Sequence, residues 1–195
     1  GREAPTRADG RGAVLYSRRE LLLLALLAWL GWVVGRTSPT SAGTDPNDFP
    51  VTNFGQPSAS IDLDSWRLRV VGAVASPLTL SYQEITRLPR ERHRYSLDCV
   101  TGWSVIRDWE GVPIGRLLEM AGSEWAEPRL RFVTSSGNDV IMWPSQWGRT
   151  GALLVTHIDG VALSHDHGFP LRLMVPGTSG EENLKWLVEI QVLGV

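Results

Sequence analysis

The chain has 195 residues, 43% hydrophobic and 21% charged, with 20 Gly, 12 Pro and a formal net charge of −2. That balance excludes a disordered tail, a collagenous chain and a coiled coil, and it leaves enough chain for one self-sufficient core. No basic patch with interleaved aromatics is present, so nucleic acid is not the expected partner. The single cysteine, Cys99, excludes an intrachain disulfide, a paired-thiol zinc or redox site and an iron–sulfur cluster built from this chain alone.

Charge is split unevenly along the chain. Residues 1–42 hold six arginines against Glu3, Asp9 and Glu20, and the remainder is acidic. Residues 1–20 form a basic segment. Leu21–Val34 then reads LLLLALLAWLGWVV without a charge, so a hydrophobic helix is expected over 21–36. Fourteen helical residues cover only about 21 Å against a hydrocarbon core of ~30 Å, which fits either a signal segment or a short anchor. Ser17-Arg18-Arg19-Glu20-Leu-Leu looks like a twin-arginine export signal; the same arginines also fit the cytoplasmic end of an ordinary membrane helix. Both readings place the rest of the chain on the extracytoplasmic side, membrane-anchored or exported. Residues 37–49, rich in Ser, Thr, Pro, Gly and Asp, read as a linker.

Residues 50–195 read as a strand-rich α+β domain with short helices. Alternation in Trp66–Gly72 predicts a strand. Ser81 with Glu84 forms a capping box for a short helix through Leu88, ended by Pro89. Arg92–Cys99 is an expected strand, followed by a polar loop through Gly111 and a helix over Val112–Ala121 that stops at Gly122. Further strands are expected at 130–134, 140–143, 153–158, 171–175 and 184–193. No GxGxxG or Walker A sequence supports a nucleotide-binding reading.

Cys99 stands where a strand meets a Gly-containing loop, Cys99-Val-Thr-Gly-Trp103-Ser. A lone cysteine is usually a small buried hydrophobe; at a strand-to-loop junction it is also a candidate nucleophile or soft metal ligand. His165-Asp-His167 has poor spacing for a metal pair. Arg172 lies in the apolar run Leu171–Val175, and Lys185, the only lysine, opens another. Each cation either faces solvent or converges with His167 on a buried anion such as a phosphate.

These pieces in this order resemble the molybdopterin domain of the sulfite oxidase fold. The resemblance is carried by Thr52-Asn53-Phe54, Leu97-Asp-Cys99-Val-Thr-Gly-Trp103, Trp109-Glu-Gly-Val-Pro, His167-Gly-x-Pro-Leu-Arg172-Leu and Lys185-Trp186, across about residues 50–193. It implies an oxidoreductase that uses the molybdenum–molybdopterin cofactor for oxygen-atom transfer. Residue by residue, it implies Cys99 as metal ligand, Asn53 and Phe54 along the pterin, His167 and Arg172 at the pterin and its phosphate, and Asn183 with Lys185 closing the phosphate end.

Sulfite oxidases follow the cysteine with an arginine-containing segment that is missing here. Cys-Val-x-x-Trp-Ser is nearer to the periplasmic methionine-sulfoxide reductase branch and its membrane-linked relatives. A small S-oxide or N-oxide is therefore the expected substrate, with sulfite oxidation as the alternative. Trp103, Trp109, Trp143 and Trp147 are candidates for an aromatic mouth, and Arg107 is expected to face solvent. Electrons would need a membrane haem or quinol-linked partner. Glu181 and Glu182, beside the expected phosphate, leave open a cofactor-less binding or assembly module of the same fold.

Overall fold

The computed structural model describes residues 45–53, 60–148 and 151–194. The basic segment, the hydrophobic helix, most of the linker and Phe54 lie outside the described residues. Among those described, no helix is long and apolar enough to cross a membrane.

Two five-stranded sheets make up the domain. The first has the order β2-β1-β10-β5-β6, built from β1 (Leu68–Gly72), β2 (Leu78–Leu80), β5 (Arg129–Thr134), β6 (Asp139–Met142) and β10 (Leu187–Leu193). β1 runs parallel to β10 and the other pairs are antiparallel. The second has the order β3-β4-β7-β8, from β3 (Glu91–Asp98), β4 (Ser104–Pro113), β7 (Leu153–Ile158) and β8 (Val161–Ala162), with β9 (Arg172–Met174) paired to β7. Among the described residues, three short helices, α1 (Tyr82–Arg87), α2 (Ile114–Ala121) and α3 (Pro144–Trp147), complete a mixed, sheet-rich α+β architecture.

Local chemistry explains the elements that were legible in sequence. The Ser81 hydroxyl accepts from the Glu84 amide while the Glu84 carboxylate accepts from the Ser81 amide, the reciprocal capping box that starts α1. α2 ends at Gly122, which adopts φ 62 and donates back to Leu118 and Glu119. In β5 the period of two sends Leu130, Phe132 and Thr134 inward and leaves Arg129, Arg131 and Val133 partly exposed.

β4 corrects the expectation of a long polar loop. Residues 104–113 form a ten-residue strand paired to β3 from Asp98–Ser104 to Glu91–Gly111, and to β7 on its other edge. Pairing on both edges outweighs the low strand propensity of its Asp, Glu and Gly. α2 accordingly begins at Ile114, after Val112 and Pro113 have joined β4. The loop shrinks to residues 99–103, so Cys99 opens a tight hairpin connection instead of a mobile segment.

β7 is buried on both faces. Leu154 belongs to one core cluster with Phe132, Leu173 and Ile190, whereas Leu153, Val155 and Ile158 belong to another with Trp109 and Met174. β9, beside it, is therefore covered on both sides, and alternation puts Arg172 on the same face as Met174. Residues 45–49, placed in the linker by sequence, are fastened to this second core: Phe49 packs into it, and Asn47 bonds the Ala162 carbonyl and the Ser164 amide.

Phe132 is fully buried and Arg131, its neighbour, is paired to Asp139 on the surface. Phe132→Ala should cost about 3–5 kcal/mol in denaturant unfolding, while Arg131→Ala should leave the midpoint near wild type.

Candidate active site

A cavity of about 90 Å³ opens between the β3–β4 hairpin, the segment 49–53, the His165–His167 turn and the stretch 180–186. Cys99 lies at its wall. The hairpin is closed by the Cys99 amide donating to the Trp103 carbonyl and the Gly102 amide to the Cys99 carbonyl, at 2.9 and 3.0 Å. Cys99 Sγ lies 3.1 Å from Thr101 Oγ1 and 3.5 Å from Thr52 Oγ1. Burial acts to raise the thiol pKa, but the hydrogen bonds from Thr101 and Thr52 and the Lys185 charge outweigh it and hold it below its ordinary value.

Arg172 is the buried cation of the cavity, with 3% of its surface exposed. One terminal nitrogen donates to the His167 carbonyl at 3.2 Å, and the guanidinium lies 5.7 Å from the Trp109 ring centroid. Its Nε has no partner among the described residues. Desolvation lowers its pKa to about 10, opposed by the Cys99 charge, so it remains protonated at neutral pH. Of the two readings open from sequence, the structure excludes solvent: β9 has no solvent face to offer.

The other expected residues converge on the same cavity but use their polar atoms within the protein. His167 is buried; Nε2 donates to the Phe49 carbonyl at 3.3 Å, which leaves Nδ1 to accept from the Ser164 hydroxyl at 2.8 Å. Burial, then the Lys185 and Arg172 charges, lower its pKa to about 4, so it is neutral at pH 7. Lys185 spends its three donors on the Thr52 carbonyl (3.2 Å), Asn53 Oδ1 (2.6 Å) and the Asp166 carbonyl (2.6 Å), and burial brings its pKa down to about 8. Asn183 is a clamp: Oδ1 accepts from the Val175 amide and Nδ2 donates to the Ser179 carbonyl.

Two glycines permit this convergence. Gly168 adopts φ +110, and a Cβ there would meet Arg172 Cβ at 3.1 Å and Lys185 Cβ at 3.2 Å. A Cβ at Gly180 would approach the Asp98 carbonyl at 3.0 Å and Cys99 Cα at 3.4 Å, so the stretch carrying Glu181 lies directly against the cysteine hairpin.

Several sequence expectations change. Glu182 faces its own turn, accepting from the Ser179 amide and hydroxyl and from Gln146, so only Glu181 of the acidic pair lines the cavity. Trp103 lines it, but Trp109 is fully buried beneath Arg172, Trp147 is buried with Nε1 donating to the Pro128 carbonyl, and Trp143 stands exposed under Arg129. Arg107 lies on β4, where it bonds the Pro46 carbonyl and pairs with Asp159. Phe49, Thr52, Thr134 and Trp186 line the cavity without having been assigned a role. Thr52 and Trp186 carried a signal, their places beside Asn53 and Lys185 in the matching motifs; Phe49 and Thr134 are brought in by tertiary contacts. Both ring nitrogens of His167 are engaged by Ser164 and the Phe49 carbonyl, and no cluster of three or more His, Cys, Asp or Glu side chains suited to a metal occurs among the described residues.

The family model described as oxidoreductase molybdopterin binding domain matches residues 54–194. The chain belongs to that family. It is 30% identical over 162 residues to an uncharacterized oxidoreductase, YuiH, of Bacillus subtilis (strain 168), an alignment covering 80% of this chain and 82% of the relative. Its fold matches the crystal structure of the sulfane dehydrogenase SoxCD from Paracoccus pantotrophus with a TM-score of 0.65 at 23% identity, covering 70% of this chain and 40% of that one. The protein is thus an oxidoreductase whose cofactor is the molybdenum–molybdopterin group.

The cavity fits that group on its own chemistry. An anionic, phosphate-bearing ligand satisfies a buried guanidinium whose Nε has no partner among the described residues, and a thiolate-binding metal brought in by the cofactor matches the Cys99 thiol, the described residues holding no metal cluster of their own.

Neutral His167 makes the fold acid-sensitive. Its folded pKa of about 4 lies below the ordinary 6.5, so the unfolded chain binds the extra proton first and stability falls as pH drops from 6.5 to 4, by up to about 3 kcal/mol from this group. His167→Gln should flatten that part of the stability–pH curve relative to wild type, measured by urea unfolding of the full chain.

Proposed function

We propose that this domain carries out oxygen-atom transfer at a molybdenum ligated by Cys99, acting on a small neutral S-oxide or N-oxide. The observation that carries the reading is the pairing, in one cavity, of a thiol held by two hydroxyls with a buried guanidinium whose Nε has no partner among the described residues. When bound, the cofactor supplies the two-electron oxygen-atom chemistry.

The chain's own residues orient and insulate. Cys99 would hold the metal, and Arg172 would hold the anionic end of the cofactor through charge-assisted bonds. Lys185 ties Thr52 and Asn53 down against the cavity. His167, neutral, closes the wall beside Phe49, whose ring centroid is 3.9 Å from its own. Phe54, expected along the pterin, adjoins that tied segment in sequence.

A neutral substrate suits the mouth. Apart from Arg172 and Lys185, both engaged deeper in the wall, no described cation lines the cavity, and Glu181 adds a carboxylate. Desolvating an anion such as sulfite without fixed cations costs several kcal/mol, whereas an apolar wall of Phe49, Leu97 and Trp103 accepts an uncharged oxide. With one cysteine these residues build no iron–sulfur cluster, and electrons would enter from another protein or another part of the same protein, a membrane haem or quinol-linked partner. Ser17-Arg18-Arg19 and the apolar run 21–34 support an extracytoplasmic placement, anchored or exported by the twin-arginine route.

A panel assay of the full chain made in a cofactor-competent host tests this. Reduction of methionine sulfoxide, dimethyl sulfoxide or trimethylamine N-oxide should exceed sulfite oxidation, and Cys99→Ser should lower it at least ~100-fold, since a hard oxygen replaces the soft ligand. Sulfite turnover faster than reduction of all three oxides would overturn the substrate assignment.

A further inference from the structure

Thr52 and Thr101 reach Cys99 Sγ from unrelated parts of the chain, 47 residues and two residues away in sequence. Each is fixed independently. Thr101 sits inside the closed 99–103 connection, where the backbone bonds between Cys99 and Trp103 and between Gly102 and Cys99 leave its hydroxyl 3.1 Å from the sulfur. Thr52 is held by Lys185, whose ammonium grips the Thr52 carbonyl and the neighbouring Asn53 side chain while its third bond anchors it to the Asp166 carbonyl. The hydroxyls therefore form a built pair, one on each side of the sulfur in chain origin.

We propose that Thr52 and Thr101 are positioning residues that set the donor strength of the Cys99 thiolate, and through it the reduction potential of the bound metal. The proposal rests on Cys99 being the metal ligand. A metal-bound thiolate carries no hydrogen, so both hydroxyls must donate to it. Donors to a ligating sulfur withdraw electron density that would otherwise reach the metal, and hydrogen bonding around such sulfurs is one of the levers that tune metal-site potentials. The two threonines then make the metal easier to reduce than the bare thiolate would. Lys185 belongs to the same device at one remove, because it holds Thr52 in place.

Thr52→Val and Thr101→Val replace each hydroxyl with a methyl of the same shape, so the test is a redox titration of the bound molybdenum in the full-length holoenzyme, followed by electron paramagnetic resonance and referenced to molybdenum content. Poised at the wild-type midpoint, the reduced-to-oxidised ratio should fall about threefold in each single variant and about tenfold in the double variant, the latter equal to ~59 mV for a one-electron step. Thr101→Ser, which keeps the hydroxyl, should retain the wild-type midpoint. A double variant with full molybdenum content and an unchanged midpoint would overturn the proposal, as would a shift in Thr101→Ser as large as in Thr101→Val. Cys99→Ser that binds molybdenum with an unaltered resonance would overturn the ligand assignment itself, which separates the two failures.

Discussion

A guanidinium held out of water without an anion costs several kcal/mol, and the arrangement of the cavity depends on that cost being met by a ligand. Among the described residues, Arg172 meets the His167 carbonyl and the Trp109 ring face, and its Nε has no partner. Its charge also acts on its neighbours. It lowers the pKa of His167 and of Lys185, in each case behind the larger effect of burial, while the Cys99 charge works to keep Arg172 protonated. Among the described residues the cavity is electrostatically unfinished, and an anionic cofactor would finish it.

What the sequence disclosed follows from which forces are local. The Ser81–Glu84 box, the Gly122 stop and the alternation in β5 are decided within a few residues, and all three were readable. β4 was not, because Asp108, Glu110 and Gly111 read as loop until β3 and β7 are known to flank them. The same limit governed the site. Cys99, His167, Arg172 and Lys185 were found through motifs and Thr52 stood within one, yet Phe49 and Thr134 reach the cavity only through packing. The solvent reading of Arg172 failed for a related reason: a charge in a three-residue strand faces water only if the strand has an exposed face, and β9 has none.

The residues expected to bind cofactor divide into two kinds of work. Cys99 and Arg172 present atoms to the cavity. His167, Asn183 and Lys185 bond backbone groups of the surrounding segments, holding the 49–53 segment, the His165–His167 turn and the 175–183 stretch in register around it. The left-handed backbone of Trp186, at φ 57, belongs to the same scaffold and is held by its indole donating to the His165 carbonyl and by its own carbonyl accepting from Ser135. A wall assembled from four segments is costly to order, and preorganising it before the cofactor arrives concentrates the binding energy on the few atoms left free.

The most direct test of this account is the molybdenum content of full-length Arg172→Met beside wild type, both made in a cofactor-competent host. The account predicts about one molybdenum per chain in wild type and little in the variant, although the variant's cofactor-free form melts no lower than wild type because an unpaired buried charge has been removed. Wild-type molybdenum content in Arg172→Met would contradict it.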